Sequence, residues 1–155
     1  MTNKGYTVLE ATKKIKRYCA YQERCHKEVV EKLKGFGMLP KTIDHIVANL
    51  IEENYLNEER FAKSFARGKF RIKKWGKNRI INELRFRNIS RFNIQTALRE
   101  IPESDYLTTL DALAKKRLGE IKETHPQKRR KKLADYLVYR GWENHLIHEK
   151  ISELI

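Results

Sequence analysis

The stretch "VVEKLKGFGMLPKTIDHIVANL", from Val29 to Leu50, decides the fold because its pattern returns twice further along the chain. Apolar residues at helical spacing lead to a glycine, one apolar residue follows directly, and a second helical run of apolar residues completes the pattern. Adding 51 to each position gives a second copy and adding a further 53 gives a third, without a gap. The matched positions are Val29, Leu33, Gly37, Met38, Ile43, Val47 and Leu50; Ile80, Leu84, Asn88, Ile89, Ile94, Leu98 and Ile101; and Leu133, Leu137, Gly141, Trp142, Ile147, Ile151 and Leu154. Such a repeat predicts a tandem array of small helical units, each of which needs its neighbour to complete its core.

One column of the repeat, Gly37, Asn88 and Gly141, predicts where a helix ends. Glycine and asparagine are the residues that best tolerate the positive φ of a left-handed helix cap. We therefore expect a helix before each cap and another that packs back after it, with the next apolar residue filling the corner. The corner residues are Met38, Ile89 and Trp142.

Other local signals complete the set of helices. Thr7 and Glu10 have the spacing of a capping box, Asn57 and Ser90 are typical N-caps, and Pro40 suits a first helical turn. No segment shows the sustained alternation of a strand. The sequence therefore predicts an all-α protein of three tandem three-helix repeats in an elongated, curved array. We expect the repeats at residues 1–56, 57–103 and 104–155.

The composition predicts a basic protein that binds an anionic partner. Its net charge is +14, and such a field attracts nucleic acid, an acidic protein surface or anionic lipid. No run of about 18 apolar residues is present, so we expect no membrane-spanning segment, and the first residues lack the pattern of a signal peptide. Cys19 and Cys25 do not make a disulfide framework. We expect a cytoplasmic monomer.

The basic charge concentrates in "RGKFRIKKWGKNRIINELRFRNISR", from Arg67 to Arg91, which holds ten Lys or Arg residues and one acid, Glu83. We expect its first part, like "GEIKETHPQKRRKK" in the third unit, to be a long junction between two helices. Bases in this excess repel one another unless an anionic partner offsets the repulsion, so we expect a binding surface here. The candidate residues are Arg67, Lys69, Arg71, Lys73, Lys74, Lys77, Arg79, Arg85, Arg87 and Arg91, with Lys128, Arg129 and Arg130 as an extension onto the third unit.

Two partners stay open for this surface, an acidic protein face and a DNA backbone. Lys and Arg would contact phosphates without regard to sequence and with a steep dependence on salt. Phe70 and Trp75 have the chemistry to stack on unpaired bases, but aromatic residues at helix junctions more often belong to the core.

Signals for catalysis are poor. Cys19, Cys25 and His26 lack the spacing of a zinc site, and His145 and His148 have no third ligand. The sequence contains no phosphate-binding glycine loop and no nucleophile motif. We therefore expect no enzymatic activity, no catalytic residue, no metal and no cofactor.

The signature of a known family becomes visible in "YLNEERFAKSFARGKFRIKKWGKNRIINELRFRNIS", from Tyr55 to Ser90, which resembles the RecX family of bacterial recombination regulators. The first copy, "RYCAYQERCHKEVVEKLKGFG", and the last, "KKLADYLVYRGW", also resemble family repeats. Two positions depart from the family pattern: Asn88 stands where glycine is usual, and Trp75 directly precedes Gly76. The residues that match within the signature are Glu58, Glu59, Phe61, Ala62, Phe65, Arg67, Gly76, Ile80, Glu83, Leu84, Asn88 and Ile89.

The resemblance implies a regulator of homologous recombination, DNA repair and the SOS response. RecX-like proteins are arrays of three-helix units that lie in the groove of the RecA–single-stranded DNA filament. There they change filament growth, ATP hydrolysis and strand exchange, and we expect inhibition, although stabilisation of filaments stays an alternative. The competing interpretation is a stand-alone, sequence-nonspecific DNA-binding protein of the tri-helical type.

Overall fold

The computed structural model describes residues 5–155, and every regular element in that part of the chain is an α-helix. The predicted all-α repeat fold is confirmed. The first unit contains α1 (Val8–Tyr21), α2 (His26–Gly35) and α3 (Pro40–Glu52). The second contains α4 (Glu58–Lys73), α5 (Lys77–Phe86) and α6 (Arg91–Leu98), and the third contains α7 (Glu103–Glu120), α8 (Pro126–Tyr139) and α9 (Asn144–Leu154). The helix pairs that pack most extensively lie within one unit. The exact limits of the repeats stay a prediction.

The cap column forms the turn between the second and third helix of every unit. Gly37, Asn88 and Gly141 have φ values of 85°, 61° and 96°, the left-handed region that was predicted. Two of the corner residues, Ile89 and Trp142, are buried, whereas Met38 is only half-buried against the first core. The left-handed turn therefore recurs in all three units.

The prediction of a long basic junction in the second unit is wrong. Helix α4 continues to Lys73, because Ala62, Ala66 and Phe70 extend its buried stripe at helical spacing. It ends at Lys74, a non-glycine residue with φ 60°, and only residues 74–76 join it to α5. In the third unit the corresponding segment is also mostly helical, since α8 begins at Pro126.

The buried residues form two separate clusters. One lies in the first unit and contains Ile15, Leu33 and Leu50. The other runs continuously through the second and third units, and among the described residues of the first unit only Cys25 belongs to it. The second and third units thus share one core, while the first has its own.

The joint between the second and third units is made by the backbone. The N–H of Gly76 donates to the carbonyl of Arg140 over 2.8 Å, and the N–H of Asn78 donates to that of Gly141 over 2.9 Å. A β-carbon at Gly76 would lie 2.4 Å from the Gly141 oxygen, so only glycine permits this approach. Beside it, the ring of Tyr106 stacks on that of Trp142 with 4.4 Å between centroids.

The joint between the first and second units is made by side chains. Arg60 pairs with Glu23 over 2.6 Å, and its other nitrogens donate to the carbonyl and the side chain of Asn54. Lys27 donates to the carbonyl of Phe86 over 3.1 Å and lies 3.9 Å from the centre of its ring. Among the described residues no backbone–backbone hydrogen bond crosses this joint.

Candidate anion-binding surface

Three of the predicted binding residues already have carboxylate partners. Arg67 pairs with Glu100 over 2.8 Å, which ties α4 to the end of α6. Lys77 pairs with Glu103 over 3.6 Å, and Arg87 pairs within its own turn with Glu83 over 2.9 Å. The partners are Glu83, Glu100 and Glu103. These three cations have a structural role in the second unit and are weaker candidates for binding a partner.

Three further cations of the set are held against aromatic rings or the backbone. Lys69 lies 5.2 Å from the centre of the Trp75 ring. The guanidinium of Arg79 lies between two rings, 4.3 Å from that of Trp75 and 4.9 Å from that of Tyr139, at the joint with the third unit. The ammonium of Lys74 donates to the backbone carbonyl of Arg71, in the last turn of α4, over 2.8 Å. These contacts make the three side chains less available, and the contact of Arg79 with Tyr139 also stabilises the joint.

The four remaining predicted binding residues of the second unit are exposed and have no acidic partner among residues 5–155. Arg71 and Lys73 lie in the last turn of α4, Arg85 in the last turn of α5, and Arg91 at the start of α6. Within residues 5–155, no ion pair or side-chain hydrogen bond neutralises any of the four. Their uncompensated charge is the part of the basic stretch that folding leaves available for an anion.

The aromatic residues of the stretch divide between the core and the surface. Phe70 is buried, 6% exposed, and packs on Tyr106, so it belongs to the core. Trp75 is half-buried and lies against Phe65 with 6.3 Å between the ring centroids. Phe86 is 68% exposed, as expected from the apolar stripe of α5, which places it near or on the outer side of the helix.

The second basic run lies in the first turns of α8. Lys128 is exposed, Arg129 and Arg130 are half-buried, and the first turn contains no acid. The positive end of the helix dipole makes cations unfavourable here, which raises the local attraction for an anion. In the described part of the chain, no hydrogen bond, ion pair or ring contact joins these residues to the second unit. Their place as an extension of the first surface therefore stays a prediction.

The described residues contain no group of three or more side chains arranged to hold a metal ion. Both cysteines are buried free thiols, and burial raises the pKa of the Cys25 thiol to about 11. A thiol with a raised pKa is a poor nucleophile at neutral pH. Over residues 5–155, no helix is both long and apolar enough to cross a lipid bilayer.

The fold and the surface define a class: an all-α array of tandem three-helix units with excess positive charge on its second unit. Family models match the chain twice, as the second three-helix domain of RecX over residues 57–98 and as the third over residues 103–151. A regulatory protein RecX from Prosthecochloris aestuarii is 30% identical over 138 residues, which cover 89% of each chain. The chain belongs to the RecX family, which is a family of regulatory proteins and not of enzymes.

Other relatives agree with this assignment but differ in length. The RecX of Clostridioides difficile is 24% identical over 95% of this chain and 69% of its own, whereas the match to that of Lactobacillus johnsonii covers 33% of the relative. The crystal structure of RecX from Lactobacillus salivarius superposes with a TM-score of 0.82 over 95% of this chain and 96% of its own, at 22% identity. That likeness supports the fold.

Proposed function

We propose that this chain regulates a RecA-type recombinase by binding in the groove of the RecA–single-stranded DNA filament and inhibiting it. The observation that carries the proposal is the set of four exposed, unpaired cations on the second unit, Arg71, Lys73, Arg85 and Arg91. A filament on DNA is a repeating anionic object, and a tandem array offers it a repeating surface. Filament growth, ATP hydrolysis and strand exchange would all fall when the groove is occupied, and the chain would act as a monomer in the cytoplasm.

The test measures ATP hydrolysis by a RecA recombinase on single-stranded DNA while the chain is added. Inhibition that saturates at a low ratio of chain to recombinase supports the proposal. An unchanged rate at a several-fold excess of the chain would refute it.

Charge reversal locates the surface. We expect Arg85→Glu with Arg91→Glu to weaken the inhibition about tenfold or more, because attractive contacts become repulsive. The matched control is Lys13→Glu with Arg17→Glu, which makes the same change of charge at two exposed bases of α1. Arg79 is unsuitable for this purpose, since its contacts with Trp75 and Tyr139 belong to a joint. Equal losses in the two double variants would show that only net charge matters.

The same variants separate the filament from bare DNA as the target. Binding of the chain to labelled single-stranded DNA is measured by fluorescence anisotropy over a range of salt concentrations. Tight, strongly salt-dependent binding without any effect on the recombinase would favour a stand-alone DNA-binding protein.

A further inference from the structure

At each joint between neighbouring units, the first residue of a middle helix contacts a glutamate of the next unit. At the first joint, the backbone N–H of His26 donates to the carboxylate of Glu58 over 3.2 Å, and the His26 ring lies 3.9 Å from it. At the second, Lys77 pairs with Glu103 over 3.6 Å. His26 and Lys77 are 51 residues apart and each begins the middle helix of its unit, while each glutamate begins the first helix of the next unit. The contact is therefore a shared feature of the packing between neighbouring units.

An aromatic residue follows each of these glutamates after three positions. Phe61 follows Glu58 and is 5% exposed, and Tyr106 follows Glu103 and is completely buried. Residues three apart lie on the same face of a helix, so the acid and the ring dock together. The two joints thus define one docking motif, a glutamate at the start of a helix and an aromatic residue one turn later.

Within residues 5–155, the third unit has a cation at the corresponding place and no helix docked on it. Arg130 stands 53 residues after Lys77, at the repeat-equivalent position, and lies one turn inside α8, which begins at Pro126. In the described part of the chain, three arginines have a buried Nε without a hydrogen-bond partner: Arg117, Arg130 and Arg140. The other guanidinium nitrogens of Arg117 and Arg140 donate to Glu120 and to the Lys73 carbonyl, respectively. Arg130 has no such bond and lines an open groove between α8 and α9.

The groove has the chemistry of the two occupied joints. Its basic rim is formed by Arg130 and Lys131, with His148 on the opposite helix, and its apolar floor by Ala134 and Ile151. Lys131 already pairs with Asp135 over 2.8 Å, which leaves Arg130 as the cation in need of a partner. A basic rim over an apolar floor favours an acidic amphipathic helix.

We propose that this groove binds an acidic amphipathic helix of another protein. Its first-turn glutamate pairs with Arg130, and the aromatic residue one turn later packs on the floor formed by Ala134 and Ile151. The surface is distinct from the four exposed cations of the second unit, so the chain would hold its protein partner at one place and a larger anionic object at another.

The probe is a peptide that copies Pro102–Ala114, the segment that docks at the second joint. It contains Glu103 and Tyr106, and its net charge is acidic because it has three carboxylates and no base. A hydrocarbon crosslink between positions 104 and 108, both exposed in α7, keeps it helical in isolation. Its binding to the whole chain is measured by fluorescence anisotropy with a labelled peptide. Failure to bind at about 1 mM, an affinity of roughly 4 kcal/mol, would overturn the proposal.

Variants test the place and the chemistry of binding. We expect Arg130→Glu to weaken binding about tenfold or more, and Arg130→Gln to weaken it less, with the helical circular dichroism unchanged. Lys132→Glu is the control of equal charge on the same helix, at an exposed residue outside the groove, and it should change binding about twofold or less. A peptide with Glu103→Lys should lose binding to the original chain and regain it on the Arg130→Glu variant. If Arg130→Glu and Lys132→Glu have equal effects, the groove is not the site.

Sedimentation of the chain alone distinguishes another occupant, a second copy. Dimers that dissociate on Arg130→Glu would assign the groove to self-association and overturn the assignment to a separate protein. Inhibition of the recombinase by the original chain is measured in parallel, so that failure of this inference is distinguishable from failure of the proposed function.

Discussion

Substitution of Gly76 by alanine should separate the second unit from the third. The new β-carbon would lie 2.4 Å from the Gly141 oxygen and 2.5 Å from the Trp142 nitrogen, both backbone atoms, whereas ordinary contacts begin near 3.4 Å. The backbones must therefore retreat by about 1 Å, which stretches hydrogen bonds of 2.8 and 2.9 Å beyond a useful length. Each bond contributes about 1 kcal/mol and the overpacking costs about 1–3 kcal/mol. We expect the free energy of unfolding to fall by about 3–5 kcal/mol.

The assay is urea unfolding followed by tryptophan fluorescence and by circular dichroism. Both tryptophans of the chain, Trp75 and Trp142, lie at this joint, so fluorescence reports it selectively. The control is Gly68→Ala: nothing lies within 4 Å of the new β-carbon, and Gly68 is inside α4. Alanine there should stabilise the helix by about 0.5–1 kcal/mol. The reasoning about backbone contact would be refuted if Gly76→Ala changed the unfolding free energy by less than about 0.5 kcal/mol.

Three further outcomes follow from the polar contacts. Tyr106→Phe removes a hydroxyl that donates to Glu143 and accepts from the Lys77 N–H over 2.8 Å. Because both groups lose their partner, the free energy of unfolding measured with urea should fall by about 1–3 kcal/mol. Burial raises the pKa of the Tyr106 phenol, so the stability that depends on its neutral form should be lost as pH rises above about 10, and Tyr106→Phe should abolish that part of the alkaline loss. Hydrogen bonds from Lys115 and Lys150 lower the pKa of Asp111. Its contribution to stability is therefore present above the ordinary carboxylate pKa and is lost as pH falls below about 4. Thermal unfolding at several pH values should show a weaker dependence of Tm on pH in that acid range for Asp111→Asn.

The helices and turns of this fold are largely readable from the sequence because their signals are local. Gly37, Asn88 and Gly141 each determine a backbone conformation at their own position, and the apolar residues around them repeat in register. The length of α4 was not readable in the same way. Its basic second half contains Gly68 and carries no cap signal, and the stripe of Ala66 and Phe70 that keeps it helical has meaning only once the core is known.

The binding surface was predictable as a region and not residue by residue. Excess charge between Arg67 and Arg91 is a property of composition, whereas the availability of each cation depends on tertiary contacts. Glu100 lies 33 residues from Arg67 in the sequence and Tyr139 lies 60 residues from Arg79, and no local sequence pattern predicts either contact. Folding therefore divides ten similar-looking bases into structural ones and free ones.

The difference between the two joints has its origin in a single repeat position. Gly76 precedes α5, and Cys25, which stands 51 residues earlier, precedes α2. Glycine lets the backbone of the next unit approach within hydrogen-bonding distance, whereas the Cys25 side chain is buried in the core of the next unit. The first joint must then rely on side chains such as Arg60, whose ion pair with Glu23 is partly exposed and weakened by salt. Salt should therefore loosen the first unit from the other two before it affects their shared core.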